Sequence, residues 1–316
     1  MVGVLFKKLI IFSLLLFIPL YIIQMVVDKG LRKYQSGEYG IWNDIYSSKI
    51  NSDILIVGSS RALVNISSPI LDSALHKTVY GIGVNGGNFS QTLVRLKVYL
   101  QHNKKPQTII CSLGMNDLDK GEGLFNTEQY MPYLEDSLIR NSNQGYANSF
   151  MLADYYIPAM KYRSDLGSLL TGIKLYFNSQ VEVREPRIKG YVAREIKWDT
   201  SFDDLRKSKK VFNIKFHKEL LNDFKTFIGI CKSNNIKLIF VFTPEYEKVQ
   251  PYFKNWDFVM NFYKSVAAKN DIPFLDYSNS EFSKDTKYFY NSEHLNKTGS
   301  QLFSKKLADD LLKLQL

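Results

Sequence analysis

A serine side chain can carry out acyl chemistry when four conditions meet. It must sit on an exposed turn, a histidine must take its proton, a third group must hold that histidine, and hydrogen-bond donors must face the developing oxyanion. Ser60 follows the apolar run ILIV in G-S-S-R, where Gly58 permits a tight turn and presents the hydroxyl at a strand's end. Its plain alternative is a helix N-cap. The run G-I-G-V-N-G places Gly83 where a backbone N–H can approach a reacting carbonyl oxygen, and G-M-N-D offers the Asn116 amide as a second donor. A left-handed turn and an Asx-turn are the corresponding structural roles. Of the four histidines, His76, His102 and His217 fall in or beside amphipathic helical patterns, which leaves His294, in the polar loop of YFYNSEHLNKTG, as the candidate base.

These residues need elements to position them. NSDILIVGSS, TVYGIGVNGG, QTIICSLGMND, IKLIFVFTP and IPFLDYS read as short buried strands. Helical patterns lie between or after them, near 90–102, 218–234, 257–270 and from Lys297 onward. Alternating strands and helices imply an α/β fold with a mostly parallel sheet and functional loops at the strands' carboxyl ends. The rhythm is lost from about 118 to 211, a stretch holding eight of the twenty tyrosines and expected to be an insertion over the sheet's working edge. Those rings either stack on sugar faces or pack the insertion with their phenol groups reaching water.

Residues 9–27, LIIFSLLLFIPLYIIQMVV, are nineteen without a charge, which at 1.5 Å per residue nearly crosses a hydrocarbon core of about 30 Å. The absence of a small-residue cleavage step favours an uncleaved anchor over 1–33, joined by a connector over 34–50 to an α/β domain over 51–316. The net charge of +10 first suggests a polyanion partner, but Lys7, Lys8, Lys29, Arg32 and Lys33 against Asp28 place +4 of it around the apolar stretch. The remaining basic residues interleave with acids, so no nucleic-acid partner is expected. The flanks are too evenly charged to orient the helix. Cys111 and Cys231 read as buried free thiols, and without C-x-x-C or paired histidines no structural zinc site can be built and no cofactor is implied.

The order of parts resembles the SGNH (GDSL-like) hydrolase superfamily: a serine block, a glycine block, a G-x-N-D block and a terminal histidine block, matched by Ser60, Gly83, Asn116 and His294 over about 53–118 and 272–305. The resemblance implies a three-layer α/β/α domain. G-S-S-R, the amino-terminal anchor and HLNKTG are similar to a membrane-anchored branch linked to O-acylation of extracellular polymers, often beside a membrane-bound O-acyltransferase. It implies a catalytic domain outside the cytoplasmic membrane, a glycan or acylated-polymer substrate, and that acyltransferase as a candidate partner. Two departures stand out. Gly81 occupies a place where the family often has Asn, and Asn291 replaces the acid usually three residues before the histidine. An amide lacks the carboxylate's charge and can hold the wrong tautomer; the same swap in a serine protease costs about 10⁴ in kcat.

Three outcomes follow: a weak Ser-His dyad, an acid borrowed from Glu293, Asp285 or Asp276, or a non-catalytic domain. Asp285 is the freest of these to reach the ring, whereas Glu293 adjoins His294 and is expected to point away. Arg61 either holds an acidic group of the substrate or makes an ordinary salt bridge. The leading reading is acyl transfer or ester hydrolysis through a Ser60 acyl-enzyme, with the Ser60 N–H as a further oxyanion donor. The alternative is a catalytically inactive carbohydrate-binding or assembly subunit of a membrane O-acylation complex. A dinucleotide enzyme is suggested by Gly81, Gly83 and Gly86 as G-x-G-x-x-G, but no Asp or Glu lies between Gly86 and Met115 to bind a ribose.

Overall fold

A computed structural model of the chain describes residues 2–121 and 123–315. The helices, in chain order, are α1 (Val2–Leu31), α2 (Gly37–Tyr46), α3 (Ser60–Val64), α4 (Ser68–Leu75), α5 (Phe89–His102), α6 (Ser137–Asn143), α7 (Leu152–Tyr156), α8 (Leu166–Tyr176), α9 (Ser201–Ser208), α10 (Lys218–Ser233), α11 (Trp256–Lys269) and α12 (Lys297–Lys313). The strands are β1 (Ile54–Gly58), β2 (Val79–Gly81), β3 (Thr108–Leu113), β4 (Lys237–Phe242) and β5 (Phe274–Asp276). The chain divides into two compact units, Met1–Asn43 with Asn126–Glu185 and Asp44–Phe125 with Pro186–Leu316. The stretch expected to be one insertion, 118–211, thus contributes to both. The expected connector, 34–50, contains α2, whose buried Ile41, Trp42 and Ile45 recur at helical spacing.

The second unit holds the sheet. All four strand pairings are parallel, in the order β2-β1-β3-β4-β5. β1 and β3 are buried at every position, as a parallel strand covered on both faces must be. On one face α4 and α12 lay Leu71, Leu75, Phe303, Leu307 and Leu311 against Ile54, Ile56, Ile110, Ile239 and Val241. On the other, aromatic rings lock α5, α10 and α11 to the sheet: Phe224 meets Phe89 at 4.7 Å, Phe240 at 5.5 Å and Tyr263 at 5.9 Å. The result is the expected three-layer α/β/α sandwich. Because β1 connects outward to β2 while β3 leads to β4 on the other side, the strand order reverses between β1 and β3. A crevice opens at the carboxyl ends of such a pair, and ligands bind there in open α/β sheets.

In the first unit α1 is long and apolar enough to cross a membrane, and most of its side chains up to Ile23 are exposed. Burial begins near its end, where α8 crosses it. A Cβ on Gly30 would stand 1.8 Å from the Gly172 carbonyl oxygen, so the two backbones touch and neither position admits a side chain. Below that crossing, the Lys161 ammonium is paired with Asp28 at 2.9 Å and donates to the Met131 carbonyl at 2.6 Å, while the Tyr162 hydroxyl donates to the same Asp28 carboxylate. Tyr130, Tyr133 and Tyr162 in this unit and Tyr191 in the other are buried, which fits the packing role for these four rings.

Candidate active site

β1 ends at Gly58, whose φ of +138° and whose hypothetical Cβ, 2.4 Å from the Ser112 carbonyl oxygen, exclude any other residue. The chain turns there into α3, of which Ser60 is the first residue, so the serine stands at the carboxyl end of β1 as the sequence predicts. Its Oγ lies 2.7 Å from Nε2 of His294, 234 residues further along the chain. Gly83 packs against this turn. A Cβ there would meet the Leu63 nitrogen at 2.9 Å and the Ser59 carbonyl oxygen at 3.0 Å, and the Gly83 carbonyl accepts from buried Arg95 Nη1 at 2.7 Å. Asn116, in the loop after β3, lines the same cleft of about 530 Å³ as Ser60. Gln91, Asn88, Glu245 and Glu293 give that cleft a polar wall, and Phe212 and Phe253 add two rings.

The far side of the histidine ring resolves the question raised by Asn291. His294 Nδ1 is 3.0 Å from Asn291 Oδ1, and the same oxygen accepts the backbone N–H groups of Glu293 at 3.1 Å and His294 at 2.9 Å. Two backbone donors aimed at one amide atom require that atom to be the oxygen, because the NH2 group in its place would set donors against donors. The oxygen therefore faces Nδ1, Nδ1 carries the proton, and Nε2 is left as the acceptor for the Ser60 hydroxyl. This is the tautomer general-base catalysis needs. What the amide does not supply is negative charge. Burial, aided by the nearby Arg61 and Arg194 cations and opposed by Asp199, pushes the imidazole down to about 3, so the ring is neutral throughout the physiological range. The Tyr290 ring lies nearly parallel to the imidazole, 7° between planes and 5.4 Å between centroids.

Asp285, read from the sequence as the acid freest to reach the histidine, does not serve it. Its carboxylate caps the Lys287 backbone N–H at 2.9 Å and pairs with the Lys287 ammonium at 2.8 Å, interactions that hold it below the usual carboxylate range. A locally satisfied, exposed carboxylate gains nothing by turning inward. Asp276 is likewise engaged, by Ser278 at 2.7 Å and Lys264 at 3.0 Å. Glu293 lines the cleft beside Ser60. Arg61 is 4% exposed, with Nε on Thr243 Oγ1 at 3.1 Å, Nη2 on the Thr243 carbonyl at 2.6 Å, Nη1 on Glu245 at 3.1 Å and its plane over Phe242. It is a strut between α3 and the end of β4 rather than a free arm for substrate.

Two residues that sequence reasoning missed hold the arrangement together. Asn65, fully buried at the end of α3, donates to Thr243 Oγ1 at 2.9 Å and to the Glu293 carbonyl at 3.2 Å, and accepts the Leu295 N–H at 2.8 Å. It grips the chain on both sides of His294 from the helix that begins with Ser60. Asp117 accepts the Gly114 N–H at 2.7 Å and the Ser59 hydroxyl, tying the loop after β3 to the residue before Ser60; burial pushes its carboxyl up to about 7. A polar residue closing the short apolar run ALV was the only sequence sign of Asn65, and Asp117 was visible only as the last letter of G-M-N-D. The end of the histidine loop is explained as well. Asn296 caps α12 through the Gly299 N–H at 2.9 Å, and Gly299 leaves no room for a Cβ, 2.1 Å from the Tyr288 carbonyl oxygen.

The four blocks of the resemblance therefore meet at one crevice, and a hydroxyl hydrogen-bonded to a correctly oriented imidazole beside polar donors suits ester hydrolysis or acyl transfer in general. No family model matches the chain, and no curated protein does. Among solved structures it is similar to a provisionally assigned platelet activating factor from Streptococcus pneumonia, at 13% identity over 98% of this chain and 99% of that one, with a TM-score of 0.43. It is also similar to a provisionally assigned acylhydrolase from Bacteroides fragilis, at 14% identity over 82% and 87% of the two chains and a TM-score of 0.40. It is similar as well to a GDSL-like lipase from Bacteroides thetaiotaomicron, at 11% identity over 82% and 88% and a TM-score of 0.38.

Proposed function

We propose that this chain is a membrane-anchored serine acyltransferase or esterase of SGNH type that acts on a glycan or envelope polymer outside the cytoplasmic membrane. The observation that carries the reading is the Ser60 Oγ to His294 Nε2 hydrogen bond at 2.7 Å, with Nδ1–H held by Asn291. Ser60 Oγ attacks the acyl carbonyl as its proton passes to Nε2, and the oxyanion is received by the Ser60 and Gly83 N–H groups and the Asn116 amide. Nε2 returns the proton to the leaving oxygen. It then takes the proton of an acceptor hydroxyl or of water, whose oxygen attacks the acyl-enzyme, and hands that proton to Ser60 Oγ as the Oγ–acyl bond breaks.

Support for a glycan acceptor comes from the polar wall of the cleft and from a second groove in the same unit. Trp198, Phe202 and Tyr252 line it beside Lys209, Lys248 and the Arg206–Asp203 pair, rings and polar groups suited to a sugar chain. Tyr246, at its inner end, donates its N–H to the Ser292 carbonyl of the histidine loop at 2.8 Å. Anchoring rests on the apolar length of α1, and the extracytoplasmic side and a membrane-bound O-acyltransferase partner rest on the resemblance alone.

A fluorophosphonate probe should label the wild-type chain and spare Ser60→Ala; equal labelling of both would overturn the acyl-enzyme. The neutral amide at the acid's place is the one feature that favours an inactive binding subunit. That reading predicts no labelling of the wild type and an unchanged cellular phenotype in Ser60→Ala.

A further inference from the structure

The amino-terminal unit leaves apolar side chains exposed well beyond the spanning helix. On α8 and its C-cap the outer stripe is Leu166, Leu170 and Phe177, at 65%, 47% and 69% exposure. At 100° per residue these three fall within about 40° of one another, on a single face. The face at Gly172, about 140° round the helix from this stripe, is the one pressed against α1, so the stripe points away from that helix. A second apolar group surrounds α7: Met151, Leu152, Tyr156 and Ile157 are all exposed, Leu152 at 76% and Tyr156 at 73%. Soluble surfaces carry single exposed apolar residues without consequence, but two neighbouring groups of this size call for a partner.

Contacts within the unit fix the depth at which these groups sit. The Ala159 N–H, just after α7, donates to the Gln24 side chain at 2.8 Å. Gln24 lies three residues before the end of the uncharged stretch of α1, about 4–5 Å along the helix axis from its limit. The chain after α7 is therefore level with the last turn of the apolar span, and α8 meets α1 at Gly30, about two turns further on. Exposed cations stand at the same end: Lys29 and Lys33 follow the span and Lys174 lies on α8, while Arg32 and Arg163, also exposed, are paired with Glu135 and Asp154. Apolar and aromatic groups at the boundary with basic groups just above them match a bilayer surface, where amphipathic segments sink about 5–10 Å and cations meet lipid phosphates.

We infer that α7, the turn after it and the outer stripe of α8 form a platform seated in the lipid headgroup boundary beside α1. The inference rests on α1 spanning the membrane. Its consequence is that the anchor is not a lone helix on a loose tether: the unit that carries it grips the bilayer at a second, lateral surface.

The test uses the full-length chain in phosphatidylcholine–phosphatidylglycerol vesicles. Single cysteines replace Leu152, Tyr156, Leu170 or Phe177, with Leu16→Cys as a marker of the span and Glu182→Cys as a marker beyond it. Cys111 and Cys231 are buried, so a polarity-sensitive thiol dye reports the introduced site. Glu182 adjoins Tyr34, past the end of α1, where the Tyr34 hydroxyl donates to its carbonyl at 2.9 Å. The platform predicts at least twofold quenching of the dye at 152, 156, 170 and 177 by headgroup-level nitroxide lipid, with deep-chain nitroxide quenching position 16 and neither quenching position 182. Quenching at 16 without quenching at the other four would overturn the platform and leave the anchor standing. No quenching at 16 would overturn the anchor and the platform with it. Equal quenching at 182 and at the four sites would overturn the assignment of the contact to these apolar faces.

Discussion

In the amino-terminal unit the buried Lys161 side chain is held by a carboxyl partner, Asp28, at 2.9 Å, whereas in the sheet unit the hydrogen-bond partners of the His294 ring are a serine hydroxyl and an amide. Both sites place a basic side chain away from water, and both fix it through chain segments far apart in sequence. They differ in what they do to its proton. Burial pulls the lysine below its usual range, but the adjacent carboxylate works against that and favours the charged form, which suits a lysine that only has to stay in place. An amide locked by two backbone N–H groups gives the imidazole the same geometric guidance and leaves it unprotonated. Position and charge are separable contributions of the third member of a triad, and this site keeps the first without the second.

The largest break in the comparison is expected from His294→Gln, which removes the base itself: turnover of a small acyl ester should fall about 10⁴-fold or more, with thermal unfolding little changed. Lys161→Met should do the reverse. It strands the Asp28 carboxylate in a buried setting, which costs about 3–5 kcal/mol, read as faster proteolysis within 126–185, while the His294 ring keeps its tautomer. Asn65→Ala comes next, because it strands the Leu295 N–H and frees the histidine loop from α3. A loss of about 1–3 kcal/mol in stability should accompany a 10- to 100-fold drop in kcat.

The smallest and most informative change is Asn291→Asp. The carboxylate can accept the same two backbone N–H groups and adds the missing charge, so turnover should rise about tenfold. The pH dependence should shift with it. In the wild type the imidazole is pushed down to about 3, so its active neutral form persists as pH falls and kcat/KM shows no inflection near 6.5. In Asn291→Asp the new charge favours the imidazolium, and an acid limb should appear at higher pH. The stability linkage has a definite sign. The unfolded histidine binds a proton below about 6.5 while the folded one does not, so wild-type stability should fall as pH drops from 6.5 toward 3.

The strands were legible because each is a short apolar run closed by glycine or a polar turn, and β1, β3 and β4 begin and end within a few residues of the expected places. Ser60 and His294 were legible for a related reason: Ser60 stands where the β1 strand pattern stops and His294 in the polar loop just before the last helix pattern begins. Asn65 was hidden because a buried polar residue leaves no periodic trace, and its partners Thr243 and Leu295 lie 178 and 230 residues away. Arg61 shows the complementary difficulty. An arginine beside a nucleophile invites a substrate role, yet Thr243 and Glu245 at the end of β4 surround it, and only the strand order brings them there. Asp285 is spent on a partner two residues away, Lys287, a local pairing that leaves no mark in the spacing of acids from His294.

The central claim is that Asn291 holds His294 as a neutral base with its proton on Nδ1, and nitrogen NMR of the chain labelled at its histidine rings tests this directly. Four ring systems are expected, and His294→Gln assigns one of them. The account predicts a protonated Nδ1 and an unprotonated Nε2 for His294, unchanged from pH 7.5 to pH 5. A proton on Nε2, or conversion to imidazolium with a midpoint near 6.5, would contradict it.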